Sequence, residues 1–596
     1  MNERLKTAFS SVARLTRRWK LLTVRKIIYL PHILSHQEKK VFSLLAGIVI
    51  LTSAGLGVRA YVHFTHPVPA VGGTYTEGII SSPPRTINPI YLSRDTDRDI
   101  ARLVFSGLIT YDGAGNPVPD LAERYEISPD GRTYTFFLRK DVRWHDGIPL
   151  GADDVVFTIN RIQNPQYKSP ARVNWQGVEV QKIDGHTVRF VLRTPYSPFL
   201  ENLTQGIVPK HLWENIDPAQ AVLHDLNMHP VGSGPYQFSR FKSTGEGAVI
   251  WYALSRNPNY YREGPYLQTV TFLFFNSEDE AVAALHKGEI DGYGPVSSSR
   301  AADTNQNRQI VLNTATPRIF SIFFNQHAAP ALADHAVREA IMRGIDRAKI
   351  AEQGVGGAIV IDSILAPFQK EVAPGAAAGG GSSAYDPQRA GAILDAAGWK
   401  DTDGDGIRDK KMRGAKGKAA SSTLRFTLTT GDSPELVAAA QMTKTMLADI
   451  GIEADVDVKS FADLGTSVIR PRAFEMLLFG QVYGYEPDPF AFWHSSQIKD
   501  PGLNIALFAD KNADKILESA RHTTDRAIRN QKYAEFSALV ARAIPAVPLY
   551  TQLYRYLLPR DLRFAASEDN PIARIALPAD RFNEINRWYR TTRRAF

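Results

Sequence analysis

Eighteen consecutive uncharged residues, Val41 to Val58 (VFSLLAGIVILTSAGLGV), constrain this chain more than any other feature. A run of that length stands at the lower end of what crosses a bilayer core, where about 20 apolar residues are needed. After Arg59, the stretch Ala60 to Phe64 extends the apolar character and supplies an interfacial aromatic. In front of the run, residues 1–40 hold ten Lys or Arg against Glu3 and Glu38, which accounts for the whole formal charge of +8. Of 70 basic and 62 acidic residues in the chain, 60 of each then remain beyond residue 40 and cancel. A basic flank on the N-terminal side predicts residues 1–40 in the cytoplasm and everything after Phe64 outside. An uncleaved anchor is therefore expected. Val58-Arg59-Ala60 offers small residues to a signal peptidase, but a forty-residue leader region is too long for an ordinary signal peptide. A buried core helix would have no reason to carry so basic a neighbour, and Arg17-Arg18 lacks the rest of a twin-arginine signal.

A nucleic-acid reader would carry its excess charge on the folded domain, where phosphates are neutralised, so no nucleic-acid partner is expected. With 44% hydrophobic and 22% charged residues, the body has the composition of a packed globular protein. Cysteine is absent. That excludes disulfides, thiolate metal sites, Cys nucleophiles and a lipid tether on an N-terminal Cys.

Residues 65–73 (THPVPAVGG) read as a Pro/Gly spacer. Beyond them, Tyr134 to Arg139 and Thr187 to Leu192 alternate as half-buried strands do. Asp279 to Lys287 and Ala331 to Arg347 have helical spacing, with Asp as an acceptable cap, while Val355 to Ile361 and Leu424 to Thr429 resemble buried strands. The mixture predicts an α/β body. Pro374 to Ser383 (PGAAAGGGSS) and the basic stretch Lys410 to Ser422 read as surface loops. There is no internal repeat.

Short motifs then recur in a fixed order. Gly73 to Gly78 precedes Pro84-Arg-Thr-Ile-Asn-Pro89, followed by Leu103-Val-Phe-Ser-Gly-Leu108 and Pro119-Asp-Leu-Ala122. Val142-Arg-Trp-His-Asp-Gly147 leads to Ala152-Asp-Asp-Val-Val-Phe-Thr158. Val231-Gly-Ser-Gly-Pro-Tyr236, Arg256-Asn-Pro-Asn-Tyr-Tyr261, Lys287-Gly-Glu-Ile-Asp291, Val337-Arg-Glu-Ala-Ile341 with Gly344-Ile-Asp-Arg347, and Tyr385-Asp-Pro387 with Ala396-Ala-Gly-Trp399 complete the set. Colinear from about residue 73 to 555, these segments resemble the family 5 extracellular solute-binding proteins, the oligopeptide, dipeptide and nickel binders of ABC importers.

The resemblance implies a two-lobed periplasmic-binding-protein-like fold of the large type II form, following the N-terminal transmembrane helix. Residues 1–40 would be the cytoplasmic tail, 41–64 the anchor and 65–71 a linker. The first lobe would span 72–316, including an extra subdomain at about 111–230, and the second 317–554. Residues 555–596 would return to the first lobe. The strand Ile319 to Asn325 would leave the hinge for the second lobe, and closure would come from rotation about a few element-terminal residues. The implied partners are an ABC permease, the cytoplasmic membrane and a small peptide or similar polar ligand, bound by a monomer without covalent chemistry. A nickel or other metal chelate is the alternative ligand, and a scaffold or chaperone-like surface protein that keeps the fold is the alternative role.

The segment most suited to touch a ligand is Gly480 to Ser495, whose prolines and glycines predict a loop and whose aromatic rings grip varied ligands by area. Tyr483, Tyr485, Glu486, Asp488 and Trp493 are its candidates, with Phe490 and Phe492 assigned to the core. In peptide binders of the resembled family this loop supplies an Asp that pairs with the ligand's amino terminus. Tyr485 stands at that position, with Glu486 and Asp488 nearby, so either Glu486 substitutes or the ligand lacks a free α-amine. Asn88, Tyr91 and Asn325 are further candidates for the cleft. Asp401, Asp403, Asp405 and Asp409 match positions 1, 3, 5 and 9 of a calcium loop, with Met412 where the bidentate carboxylate belongs. A solvated acidic surface turn is the favoured reading and bound calcium the alternative; either would be structural, and no other cofactor is expected. His145-Asp146 reads as a turn with a locally bonded histidine, because no nucleophile elbow, HExxH or P-loop accompanies it, and the chain is not expected to be an enzyme.

Overall fold

The computed structural model describes residues 35–196, 198–302, 308–365, 368, 384–413, 419–565, 572 and 574–595. Most of the basic tail (residues 1–34), the stretch Pro374 to Ser383 and residues 414–418 lie outside them.

Two compact units are present, residues 1–69 with 592–596, and residues 70–591. The first is built on one helix of 29 residues, His36–Phe64, about 43 Å long. Its most apolar window has a mean hydropathy of 2.2 and none of it is buried, so the helix is long and apolar enough to cross a membrane. Thr65 takes an extended conformation, and its hydroxyl caps the Tyr61 carbonyl at 2.5 Å. The expected spacer is in part a strand. His66–Ala70 pairs with the C-terminal strand Thr591–Ala595 in a two-stranded sheet, where proline is tolerated at an edge. Arg594 donates to the carbonyls of Val62 and Thr65 at 3.2 and 3.0 Å, a cation placed at the negative end of the helix.

The second unit has an 11-stranded mixed sheet as its backbone. Across it run Glu453–Lys459, Arg425–Gly431, Met476–Val482, Gln309–Phe324, Ala546–Pro559, Gly292–Tyr293, Thr74–Ile80, Thr269–Phe275, Val249–Arg256 and Tyr236–Ser243 in that order. Ile359–Val360 pairs on the side with Ala546–Pro559. Gln309–Phe324 and Ala546–Pro559 are antiparallel and pass from one half to the other. Their register breaks between Ala315 and Ile319. Pro317 removes a ladder donor there, and side chains bridge the gap: the Thr316 hydroxyl donates to the Gln552 carbonyl at 3.0 Å and the Thr551 hydroxyl to the Thr316 carbonyl at 2.7 Å.

Each half has its own core, so the two lobes are separate packing units. One core gathers Tyr75, Leu103, Phe136, Trp175, Phe190, Tyr252 and Trp588, and takes in a four-stranded sheet (Ala122–Ile127, Thr133–Leu138, Thr187–Leu192, Val178–Asp184) under the helix Ala152–Gln163. The other half carries a core on both faces of its strands. Phe320, Ile322 and Phe324 point to one face and Ile319 and Phe323 to the other. Two covered faces are why this strand reads as a nearly unbroken apolar run rather than an alternation. The C-terminal segment is tied into the first core by Arg581. It is buried, and it donates to Glu77 at 2.9 Å and to Asp99 at 2.8 Å.

Several expectations need correction. The helix within Ala331 to Arg347 is only His335–Gly344, because Asp334 caps Ala336 N–H and residues 345–346 are extended. The helix expected from Asp279 begins at Glu278 under a Ser277 cap. Of Val355 to Ile361 only Ile359–Val360 is a strand, half-exposed, since Gly356 and Gly357 take φ of 74° and 87° and break the run. Lys410 to Ser422 is not simply a loop: Asp409–Arg413 and Ala419–Thr423 form an antiparallel pair. The strand Arg425–Gly431 lies where Leu424 to Thr429 predicts one.

Candidate functional site

The strand Met476–Val482 ends at the mouth of a cavity between the lobes, and the residues that follow form its wall. The cavity measures about 490 Å³, within the range of small-molecule sites. Tyr483, Gly484 and Tyr485 line it from the second lobe, while Pro89, Arg102, Tyr111, Trp175, Glu201, Asp580 and Asn583 are among the groups facing them from the first.

The lobes touch through a few specific contacts. The Tyr485 ring stacks on Tyr111, its carbonyl accepts from Arg574 at 2.8 Å, and its hydroxyl accepts from Asn583 at 3.2 Å. The Glu486 N–H donates to the Glu201 carboxylate at 2.5 Å. Arg521 lies over the Tyr196 ring, 4.9 Å from its centroid. Gly484 permits the close approach, since a Cβ there would stand 2.0 Å from the nearer Glu201 carboxylate oxygen and push that side chain aside. Burial pushes the Glu201 carboxyl up to about 8, reinforced by the like charges of Glu486, Asp580 and Asp488 and opposed by the Glu486 N–H. The Tyr111 and Tyr485 hydroxyls are held far above their ordinary range, chiefly by burial.

The expected site residues divide. Tyr483 and Tyr485 line the cavity. Glu486 and Asp488 are buried and committed elsewhere: Glu486 pairs with Arg529 at 3.0 Å and lies 3.8 Å from Arg526, and Asp488 pairs with Arg521 at 2.5 Å. The substitution of Glu486 for the missing Asp is therefore not what the geometry offers. Trp493 is fully buried against Phe323, Phe508 and Phe536, and its indole N–H donates to the Tyr483 hydroxyl at 3.1 Å. It is core, whereas Phe490 and Phe492 are only partly buried. Asn88 is buried one residue from the cavity, its side-chain oxygen accepting from Ile90 N–H. Tyr91 is buried, and its hydroxyl is pushed up to about 12. Asn325 caps a turn, accepting from His327 and Ala328 N–H and donating to the Arg472 carbonyl.

The carboxylates of Asp401, Asp403 and Asp405 lie within 4.8 Å of one another on the surface. Asp409 does not join them. It is buried and accepts from Thr423 at 2.7 Å. His145 sits in a turn, but its partners are distant in sequence. Its Nδ1 accepts from Gly232 N–H, and its Nε2 lies 3.1 Å from the Gly234 carbonyl. Asp146 binds His211 instead, at 2.8 Å.

Sequence reasoning missed the first-lobe wall. Glu201 carried one usable signal, a lone carboxylate in the apolar stretch Pro198-Phe-Leu-Glu-Asn202. Tyr111, Arg102 and Asp580 carried none.

Comparison with known proteins agrees with this geometry. Residues 116–501 match the family model described as bacterial extracellular solute-binding proteins, family 5 middle. The chain is 30% identical over 506 residues to the oligopeptide-binding protein AppA of Bacillus subtilis, covering 83% of this chain and 89% of the relative. It is 27% identical over 469 residues to di/tripeptide-binding protein 2 of Pseudomonas aeruginosa, covering 73% and 81%. The structure of AppA from Bacillus subtilis with a nonapeptide superposes with a TM-score of 0.65 at 26% identity, covering 88% of this chain and 99% of that one. NikZ from Campylobacter jejuni with Ni(L-His) gives a TM-score of 0.63 at 25% identity, covering 87% and 99%. A family match across most of the folded body, on a two-lobed frame with a cavity at its junction, leads to one conclusion: the chain belongs to the family 5 bacterial extracellular solute-binding proteins.

Proposed function

We propose that the protein is an extracytoplasmic receptor that captures a peptide in the cleft between Tyr485 and Glu201 and delivers it to the permease of an ABC importer. The single observation that carries this reading is the cavity of about 490 Å³, walled by both lobes. Its two halves are joined by strands whose register breaks between them. A ligand gripped by both halves favours the closed arrangement over the open one, and closure is the signal a partner can read. Relatives named for oligopeptides and for di/tripeptides favour a peptide over a metal chelate. So does the absence of histidine among the described residues lining the cavity.

The helix His36–Phe64 is the membrane anchor in this reading, with the basic tail on the cytoplasmic side. The protein acts by binding alone and performs no covalent chemistry on its ligand. Native mass spectrometry of the full chain, extracted gently in detergent from its host, tests the reading. Recovery of co-purified peptides is expected. Repeated recovery of the empty protein, together with no thermal shift from peptide pools, would overturn it.

A further inference from the structure

We propose that Glu201 is the cation-recognition group of the cleft, its carboxylate pairing with an ammonium group of the ligand; this rests on the peptide-receptor reading above. Four carboxylates converge where the lobes meet, and three have a cationic partner of their own. Glu486 is neutralised by Arg529 and flanked by Arg526, Asp488 by Arg521, and Asp580 by Arg102 at 3.0 Å. Glu201 alone of the four has no Lys, Arg or His within ion-pair distance among the described residues; like Asp580 it lines the cavity, and it does so from the short helix Phe199–Asn202. Among the described residues its one protein hydrogen bond is from the Glu486 N–H, which occupies one oxygen and leaves the other for a ligand.

A carboxylate withdrawn from water without a counter-ion is costly, and a cation delivered by the ligand removes that cost. The surroundings point the same way. The like charges of Glu486, Asp580 and Asp488 face it, and the neighbouring hydroxyl-bearing rings Tyr111 and Tyr196 supply no positive charge. The nearby arginines Arg529, Arg521 and Arg102 are each held by another carboxylate. Gly484 keeps the approach to Glu201 open, because any side chain there would stand on its carboxylate. Recognition thus comes from the first lobe, not from the second-lobe loop where the sequence leads one to look.

The ammonium has two possible sources, the α-amine of a peptide or a lysine side chain, and matched peptide pools separate them. The full chain in detergent is titrated with pentapeptides bearing a free amino terminus, the same pentapeptides N-acetylated, and N-acetylated pentapeptides containing one lysine. At least one amine-bearing pool is expected to bind at least about tenfold more tightly than the acetylated, lysine-free pool. The pool that does so identifies the source. In Glu201→Gln the ratio is expected to fall below about twofold. The comparison of the three pools on the wild type needs no variant to fold. Amine discrimination that survives in Glu201→Gln overturns the assignment. Equal binding of all three pools by the wild type overturns the assignment alone, whereas no binding of any pool overturns the peptide reading and the assignment with it.

Discussion

Tyr485 of the second lobe lies flat on Tyr111 of the first, ring centroids 3.9 Å apart and planes within 9°. The contact exists only while the lobes are together, so its free energy belongs to closure and not to the stability of either lobe. A stacked aromatic pair is worth about 0.5–1.5 kcal/mol beyond its buried area. Tyr485→Ala is therefore expected to lower the closed-to-open ratio, and with it ligand affinity, roughly 2- to 12-fold, while the thermal midpoint of the free protein stays put. Tyr485→Phe keeps the stack and loses the hydroxyl's hydrogen bonds with Asn583 and Asp580, so it should lie between wild type and Tyr485→Ala. Titration calorimetry on the three proteins checks the order.

Trp493 makes the opposite case. It stands eight residues along the same loop, yet it is fully buried in the second-lobe core. Trp493→Ala is expected to destabilise the protein by about 3–5 kcal/mol through the cavity it leaves, with a smaller loss for Trp493→Phe. Urea unfolding measures the loss. The affinity of the folded Trp493→Phe protein should change less than that of Tyr485→Ala.

Arg581 is expected to be indispensable to the first lobe. Replacing it by methionine leaves Glu77 and Asp99 buried without a cation, a change worth about 3–5 kcal/mol of lost stability. The same unfolding experiment reads it. A triple variant that also carries Glu77→Gln and Asp99→Asn should recover part of the loss.

His145 gives the fold an acid limit. Burial lowers its pKa from 6.5 to about 4, and its two ring nitrogens are engaged by Gly232 and Gly234 as a neutral imidazole. The unfolded chain takes up a proton near pH 6.5 and the folded chain only near pH 4, so between those values the unfolded state holds more protons. Stability from this residue is present above pH 6.5 and is lost as pH falls toward 4, by about 3 kcal/mol in all. Unfolding titrations at several pH values should show this slope in the wild type and lose it in His145→Gln.

What could be read from the sequence follows from how many physical constraints act on each segment. Ile319 to Phe324 was legible because two covered faces demand apolar side chains at nearly every position. The helix His36–Phe64 was legible because a membrane-crossing length without charge has few other uses. The loop after Val482 was legible as a cleft wall through its aromatic and turn residues, but not which of its rings face the cavity. Tyr485 and Trp493 are equally apolar, and only the packing of Phe323, Phe508 and Phe536 around Trp493 distinguishes them. Glu486 and Asp488 looked available for a ligand because their partners, Arg529 and Arg521, lie 43 and 33 residues away. Glu201 left only the faint signal of a lone carboxylate among apolar neighbours, because a carboxylate that lacks a partner has no companion charge to mark it.

Closure over a ligand is the claim on which the account turns, and one distance tests it. The chain has no cysteine, so two can be introduced without background, at Leu223 in the first lobe and Phe461 in the second, 86% and 53% exposed. Spin labels at these positions in the full chain report the distance between the lobes by pulsed electron resonance. The account predicts a broad or two-component distribution in the free protein that narrows to one component when a binding pentapeptide pool is added. A distribution that stays the same at saturating peptide would contradict it.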